Sequence, residues 1–292
     1  MSIPPIDIKI PALDKLPTQP LANNLPDTKI FLAGIGSSKE RAIARTFKIP
    51  YVLDSIMDFP KYPSILVRNY FDYIKSNTED YLLDSGAYTY LHHQTKSINL
   101  SDHIKQYCYY INEFNIDKFF ELDLDLRMSI EEIENIRKKI YLETHKKPII
   151  VFHLDRGKEY WTNMCKENDY IAIGKSTKLD TKGMDWNFKS FIDMCDEAHS
   201  YGTLVHGLGF TPLEILNARA MCFDTVDSTS WNGGKYGTRT ILTETGNLMK
   251  LKGPHPSSAM EGRENNLIAW AKFAMDYKGG PRENLKKVET II

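Results

Sequence analysis

A chain of 292 residues with 42% hydrophobic content can bury a large core, and lengths near ~250 residues are typical of a single α/β barrel. Its 37 Lys and Arg against 38 Asp and Glu leave a formal charge of −1, which excludes a global basic field but not a local one. From Ser228 to Ile292, ten Lys/Arg face six Asp/Glu, net +4, leaving −5 on residues 1–227, so the C-terminal region is the part suited to phosphates.

Cys108, Cys165, Cys195 and Cys222 are far apart and form no C-x-x-C pair, so neither a disulfide framework nor a zinc knuckle is expected. No run reaches the ~18 apolar residues of a membrane span, and the start of the chain lacks the pattern of a secretion signal. The expectation is a soluble, cytoplasmic protein with no membrane partner.

In chain order, residues 1–28 hold six of the fourteen prolines, which remove backbone donors and favour an extended arm packed on, or trailing from, the domain. Residues 29–292 are expected to form one catalytic barrel with a basic C-terminal region. Short apolar runs recur at 29–36, 51–57, 80–86, 118–125, 148–154, 170–174, 204–210 and 222–228. Helical patterns separate them. Ser129 with Glu132 makes a capping box before Ile130, Ile133, Ile136 and Ile140 on one face. Asn187 can cap a helix that Gly202 closes, and Thr211, Pro212 and Glu214 supply an N-cap, an N1 proline and an N3 acid. Eight nearly continuous apolar strands with helical linkers predict an α/β fold of the (β/α)8 TIM-barrel type, with a doubly wound open sheet as the competing architecture.

In either fold, ligand chemistry sits beyond the C-terminal ends of the strands. Those ends carry Asp84; Asp123 and Asp125; His153 and Asp155; Gly174 and Lys175; His206, Gly207 and Gly209; and Asp227. Asp123 and Asp125, two apart in a strand, would share a face. Each residue also has an ordinary structural reading: Asp84-Ser85-Gly86 as an Asx-turn, Asp227 as a cap, His153 and His206 as core histidines. The pair His92-His93 reads as a solvated loop. "GKST" at 174–177 lacks the glycine of a phosphate loop, having Asp169 in its place, and "GIGSSK" at 34–39 lacks the third glycine of a dinucleotide fingerprint.

In order, these strand ends resemble those of the tRNA-guanine transglycosylase family, barrel enzymes that exchange guanine in a polynucleotide for a 7-deazaguanine. "DSGAY" resembles the family's Asp-Ser-Gly-Gly-Tyr/Phe, "IVFHLDRG" its Val-Gln-Gly-Gly strand and "YIAIG" its Ala-Ile-Gly-Gly. "VHGLGFTPLEIL" resembles Met-Gly-Val-Gly-Thr-Pro-Glu-Asp-Leu, and "TVDSTSWNGG" resembles Phe-Asp-Cys-Val with the following Pro-Thr-Arg. The matches cover roughly residues 80–237.

The resemblance implies that Asp227 is the nucleophile and Asp84 the general acid/base. Tyr88 would stack on the purine, and Asp123, with Asp125 as the alternative, would read the guanine edge. His153 stands at the family's base-reading glutamine and His206 at its methionine, while Gly174, Lys175 and Gly207 would line the pocket. Displacing a base at C1′ passes through an oxocarbenium-like state, so one carboxylate must meet the sugar and a second must carry the proton of the leaving and entering bases. The chain departs from the family in having no cysteine after Cys222, so a zinc-binding subdomain is expected to be missing and no cofactor is implied. The glutamate expected after Gly174 is also replaced, by Lys175 and Ser176.

These departures point toward the divergent branch that places 7-deazaguanines in DNA, found in phages and bacterial modification clusters, which would put a phage-encoded copy in the host cytoplasm. The expected partners are DNA, with tRNA as the alternative, and a free 7-deazaguanine base. Two other readings stand beside it: a barrel that binds nucleic acid or a nucleobase without turnover, and a metal-dependent hydrolase using Asp123, Asp125, His153 and His206.

Overall fold

The computed structural model describes residues 5–17, 20–35, 38–92, 99–174, 188–236, 238–252 and 259–288. Its centre is a seven-stranded parallel sheet: β1 (Lys29–Ala33), β2 (Tyr51–Ser55), β3 (Asp80–Asp84), β4 (Ile150–Phe152), β5 (Tyr170–Ile173), β6 (Leu204–Gly207) and β7 (Thr225–Ser228). The order β3-β2-β1-β7-β6-β5-β4 curls into a half-barrel compatible with a TIM-like (β/α) fold, but it is not a closed eight-stranded barrel.

The concave side carries every second residue of the strands, as a two-residue period requires. Phe31, Ala33, Leu53, Leu82, Phe120, Ile149, Val151 and Ala172 form one cluster there. The alternate positions, among them Ile30, Leu32, Val52, Leu83, Phe152, Ile171, Val205 and Val226, join the larger core with the surrounding helices. Both faces are covered, which is why these strands read as continuous apolar runs.

The expected strand over 118–125 is the point of difference. Among the described residues it makes only two isolated parallel bridges, Leu83↔Phe119 and Phe120↔Ile149, which connect the two edges of the sheet. The ladder stops because a side chain takes over from the backbone. After Glu121 N–H donates to Ile149 O, it is the Glu121 carboxylate that accepts the Val151 N–H, at 2.9 Å. Leu124 N then turns back to Leu122 O, so Asp123 and Asp125 do not lie on one face of a strand.

Glu121 is buried and receives Arg137 Nε at 2.8 Å and Arg156 Nη1 at 2.9 Å. Burial acts to raise its pKa, but Arg137, Arg156 and the Val151 N–H outweigh it and hold the carboxyl below the usual range.

Helices α1 (Ser38–Thr46), α2 (Ile65–Asn77), α3 (Ala87–His92), α4 (Leu100–Glu113), α5 (Ile130–Thr144), α6 (Lys158–Glu167), α7 (Phe188–Ser200) and α8 (Leu213–Asn217) follow the strands. The capping box of α5 forms as its sequence predicts, Ser129 and Glu132 each satisfying the other's backbone N–H, with Ile133, Ile136 and Ile140 buried. Gly202 adopts φ +70° just past α7. The N-cap expected of Thr211 does not form. Its hydroxyl instead meets Ser228 Oγ at 3.1 Å, and Pro212 occupies the cap position without a side-chain bond. Asn187 lies outside the described residues.

The proline-rich N-terminal segment is extended and crosses the helices. Ile6 N donates to Asn135 Oδ1, Leu13 N to Glu167 O, and Leu25 N to Gly280 O. At the other end, β8 (Thr238–Leu242) and β9 (Leu248–Lys252) form an antiparallel hairpin on α9 (Ala259–Asp276). Asn266 of α9 binds Thr240 N, Thr238 O and Trp231 O, while Trp231 Nε1 donates to Ala33 O at the end of β1.

Removing the carboxylate that two guanidinium groups share takes away the Arg137 ion pair and leaves the buried Arg156 with Asp125 alone. Glu121→Ala is therefore expected to cost about 3–5 kcal/mol, read as the shift in urea denaturation at pH 7. An effect below about 1 kcal/mol would show the network to be dispensable.

Candidate active site

Asp84 closes β3, and its surroundings are built from local chemistry. Its Oδ2 accepts the Gly86 N–H at 2.9 Å, so the Asx-turn is real and the carboxylate is held by it. Gly86 has φ +73°, and a Cβ there would lie 2.4 Å from Met57 Cγ. Only glycine suits both demands. Helix α4 secures the turn from behind: Tyr107 donates to the carbonyls of Leu83 (3.1 Å) and Phe120 (2.7 Å), and His103 Nε2 donates to Ser85 O at 2.8 Å. A carbonyl partner requires the proton on Nε2, and burial lowers the His103 pKa, keeping the ring neutral.

Burial, with the nearby charge of Asp123, pushes the Asp84 carboxyl up to about 7, against the opposing pull of the Gly86 N–H and the Ser55 hydroxyl; Asp227 adds a further upward push. A carboxyl balanced near neutrality can both give and take a proton. A raised pKa does not by itself mark a site. Asp54 is likewise pushed by burial to about 7, yet on the helix-facing side of β2, where Tyr70 OH donates to it at 2.6 Å.

Asp227, in β7, is held differently. Its Oδ1 accepts the Gly209 N–H at 2.7 Å and meets His206 Nε2 at 3.2 Å. Among the described residues Oδ2 takes no hydrogen bond, and the side chain keeps 13% exposure. His206 is fully buried, edge-on to the Phe31 ring, with Nδ1 2.7 Å from Thr225 Oγ1, which in turn lies 2.6 Å from Tyr170 OH. A neutral imidazole satisfies this chain throughout: Tyr170 donates to Thr225, Thr225 to Nδ1, and Nε2–H to Asp227. His206 thus orients Asp227 from below and offers no nitrogen to solvent.

The third group is Asp123 with His153. Asp123 Oδ2 lies 3.0 Å from His153 Nε2. Burial raises the Asp123 pKa, with the His153 contact opposing it. For His153 burial acts downward, but Asp123 and then Asp125 outweigh it, so the imidazole is held above its usual value. Asp125 is bound bidentately by Arg156, at 2.8 and 3.0 Å. A Cβ on Gly174 would come within 2.6 Å of His153 Cε1, so the glycine leaves room for that ring.

Tyr88, in the first turn of α3, is 70% exposed. Gly207 packs its bare Cα against Phe223 and borders a cavity of about 440 Å³ reaching along Leu208–Pro212 to Ser230. Lys175, Ser176 and His93 lie outside the described residues.

The strand ends therefore bring together Asp84, Asp123, Asp227, His153 and His206. They do not gather the four-residue metal set: Asp125 belongs to Arg156, and His206 to Thr225 and Asp227. No group of three or more His, Cys, Asp or Glu among the described residues is arranged for a metal ion, and none of the described helices is long and apolar enough to cross a membrane. Ser55, at the C-terminal end of β2, and Thr225 and Tyr170, which open β7 and β5, join the candidate site without having been named from the sequence. Each sits at an inward position of its strand, two residues from another, and that period was the available signal.

The raised Asp84 pKa makes a signed prediction. A carboxyl at about 7 in the folded chain and near 4 unfolded favours folding while protonated, and that advantage is lost as pH rises through 7. Asp84→Asn keeps an acceptor for Gly86 and removes the charge. It is expected to stabilise the protein at pH 8 by on the order of 2 kcal/mol and by almost nothing at pH 4, measured from denaturant midpoints. An equal effect at both pH values would refute the assignment. Compared with known families and with curated proteins, the chain matches no family model and no curated sequence.

Proposed function

We propose that the protein is a base-exchanging transglycosylase that replaces guanine in a polynucleotide, DNA first and tRNA as the alternative, by a free 7-deazaguanine. The observation that carries the reading is the pair of carboxylates at the ends of β3 and β7, held in opposite ways. Asp227 has one oxygen fixed by Gly209 and His206 and the other without a hydrogen bond from a described residue. Asp84 is kept near half-protonation by burial and by its acidic neighbours. The ordered resemblance of five strand-end segments to the transglycosylase family supports the same reading. The isolated bridges Leu83↔Phe119 and Phe120↔Ile149 between the two sheet edges support reading residues 118–121 as the eighth wall position of such a barrel.

In this mechanism Asp227 Oδ2 attacks C1′ as the bond from C1′ to the guanine ring nitrogen breaks, and Asp84 gives its proton to the departing base. The entering 7-deazaguanine returns a proton to Asp84, attacks C1′ and releases Asp227, so both carboxyls end as they began. The Asp123 carboxylate supplies acceptors for the N–H groups of the guanine edge, and His153 orients it. Tyr88 offers a ring face to the extracted base.

Incubating the protein with labelled guanine and duplex DNA, single-stranded DNA or tRNA tests the proposal, because incorporation names the substrate. Asp227→Asn is expected to abolish exchange while leaving polynucleotide binding intact, and Asp84→Asn to slow exchange by about 10²–10⁴-fold. Absence of incorporation into all three polynucleotides by the parent protein would sink the enzyme reading and leave a binding barrel.

A further inference from the structure

The loop from β2 to α2 carries an apolar cluster that the proposed chemistry does not use. Tyr62, Ile65 and Leu66 are 72, 68 and 70% exposed. Single exposed apolar side chains are ordinary, but three large ones within five residues mark a contact surface. They are not on a slack loop. Pro60 and Pro63 restrict its backbone, and Ser64 caps α2 by accepting the Val67 N–H, so Ile65 and Leu66 project from a formed first turn.

Helix α4 ties this cluster to the candidate site. Gln106 Nε2 donates to Phe59 O (3.1 Å) and Pro60 O (3.3 Å), and Tyr110 OH to Pro60 O (2.7 Å). The same helix holds the Asp84 turn through His103 and Tyr107. His103 and Tyr110 are two turns apart, roughly 10 Å along the axis, so the apolar cluster and the acid are anchored to one rigid rod. The two loops also touch directly where Gly86 packs on Met57. Lys61 Nζ lies 5.9 Å from the Tyr62 ring centroid, and the exposed Arg127 donates to Leu91 O beyond α3.

The concave side of the sheet is filled below the strand ends by Phe31, Phe120 and Leu82. A base can therefore reach Asp84 and Asp227 only from the rim, with the rest of its polynucleotide lying across that rim. An apolar projection anchored to the same helix as the acid, with Lys61 beside it suited to a phosphate, fits a stack of bases opened by loss of one member.

Resting on the transglycosylase reading, we propose that Tyr62, Ile65 and Leu66 form a wedge that enters a duplex and fills the space left when the target guanine turns out toward Asp84 and Asp227. Lys61, beside Tyr62, holds a neighbouring phosphate, and the exposed Arg127 beyond α3 offers a second cation to the backbone. The wedge selects duplex over single strand by supplying the unstacking that a duplex needs and a single strand does not.

The test compares the parent protein with the triple variant Tyr62→Ser, Ile65→Ser, Leu66→Ser, whose fold is checked by its thermal transition. Exchange of labelled guanine into duplex DNA is expected to fall about tenfold or more, while exchange into single-stranded DNA stays within about twofold. A second readout needs no turnover. Asp227→Asn protein added to a duplex carrying 2-aminopurine beside the target guanine is expected to raise its fluorescence, and the same protein with the triple substitution is not. Unchanged duplex exchange and fluorescence in the triple variant would overturn the wedge while leaving the enzyme reading standing. Equal losses on duplex and single strand would overturn it too, since they would make the cluster a general binding surface. No incorporation by the parent protein into any polynucleotide removes the enzyme reading and the wedge with it.

Discussion

Arg156 is the constraint on which the site's geometry rests. Its side chain is fully buried, between Glu121 at 2.9 Å and Asp125 at 2.8 Å. A guanidinium cannot shed its proton, so it is stable there only with carboxylates in fork geometry on both sides. Meeting that demand draws Glu121 onto the Val151 N–H, ends the wall segment after Phe120 and turns the chain at Leu122–Leu124. Asp123 then faces His153 while Asp125 stays on Arg156. One buried cation thus claims Asp125 for its fork, with Asp125 Oδ2 still 3.7 Å from the His153 Nε2 that Asp123 meets at 3.0 Å.

The site divides its acids by environment. Asp227 gathers a backbone N–H and an imidazole N–H on one oxygen. Asp84 has the Gly86 N–H but is pressed by burial and by Asp123 and Asp227, which favours the protonated form. Neither setting is made by one strand. The Asp84 environment draws on β2, β3 and the segment around Asp123, and that of Asp227 on β5, β6 and β7 through Tyr170, His206 and Thr225. Sheet curvature converts positions scattered over some 170 residues into neighbours.

Helix α4 has a comparable organising role on the opposite wall. Its polar side chains His103, Gln106, Tyr107 and Tyr110 bind backbone carbonyls of β3, of the segment at Phe120 and of the loop after β2. Carbonyls at strand ends lack ladder partners, and buried ones must be satisfied. Here that requirement fixes the positions of catalytic candidates relative to the rim.

Much of the fold could be read from the sequence because local physics sets it. Seven of the eight apolar runs contain strands, since an apolar β-branched run covered on both faces has few other outcomes. The α5 capping box forms because both partners lie within four residues, and the Asp84 turn because Gly86 tolerates positive φ. The polar strand ends singled out by the same reasoning include Asp84, Asp123, Asp227, His153 and His206, which the fold brings together. What the sequence could not decide were matters of partnership across the chain. The 118–125 run leaves its ladder for a buried arginine that reads locally as a surface residue, and Thr211 abandons its cap for Ser228. His206 is a support beneath Asp227, and Ser55 becomes a donor to Asp84. Strand and cap formation depend on interactions a few residues apart, whereas burial, ion pairing and proton affinity depend on what the closed packing brings near, and only the tertiary structure decides that.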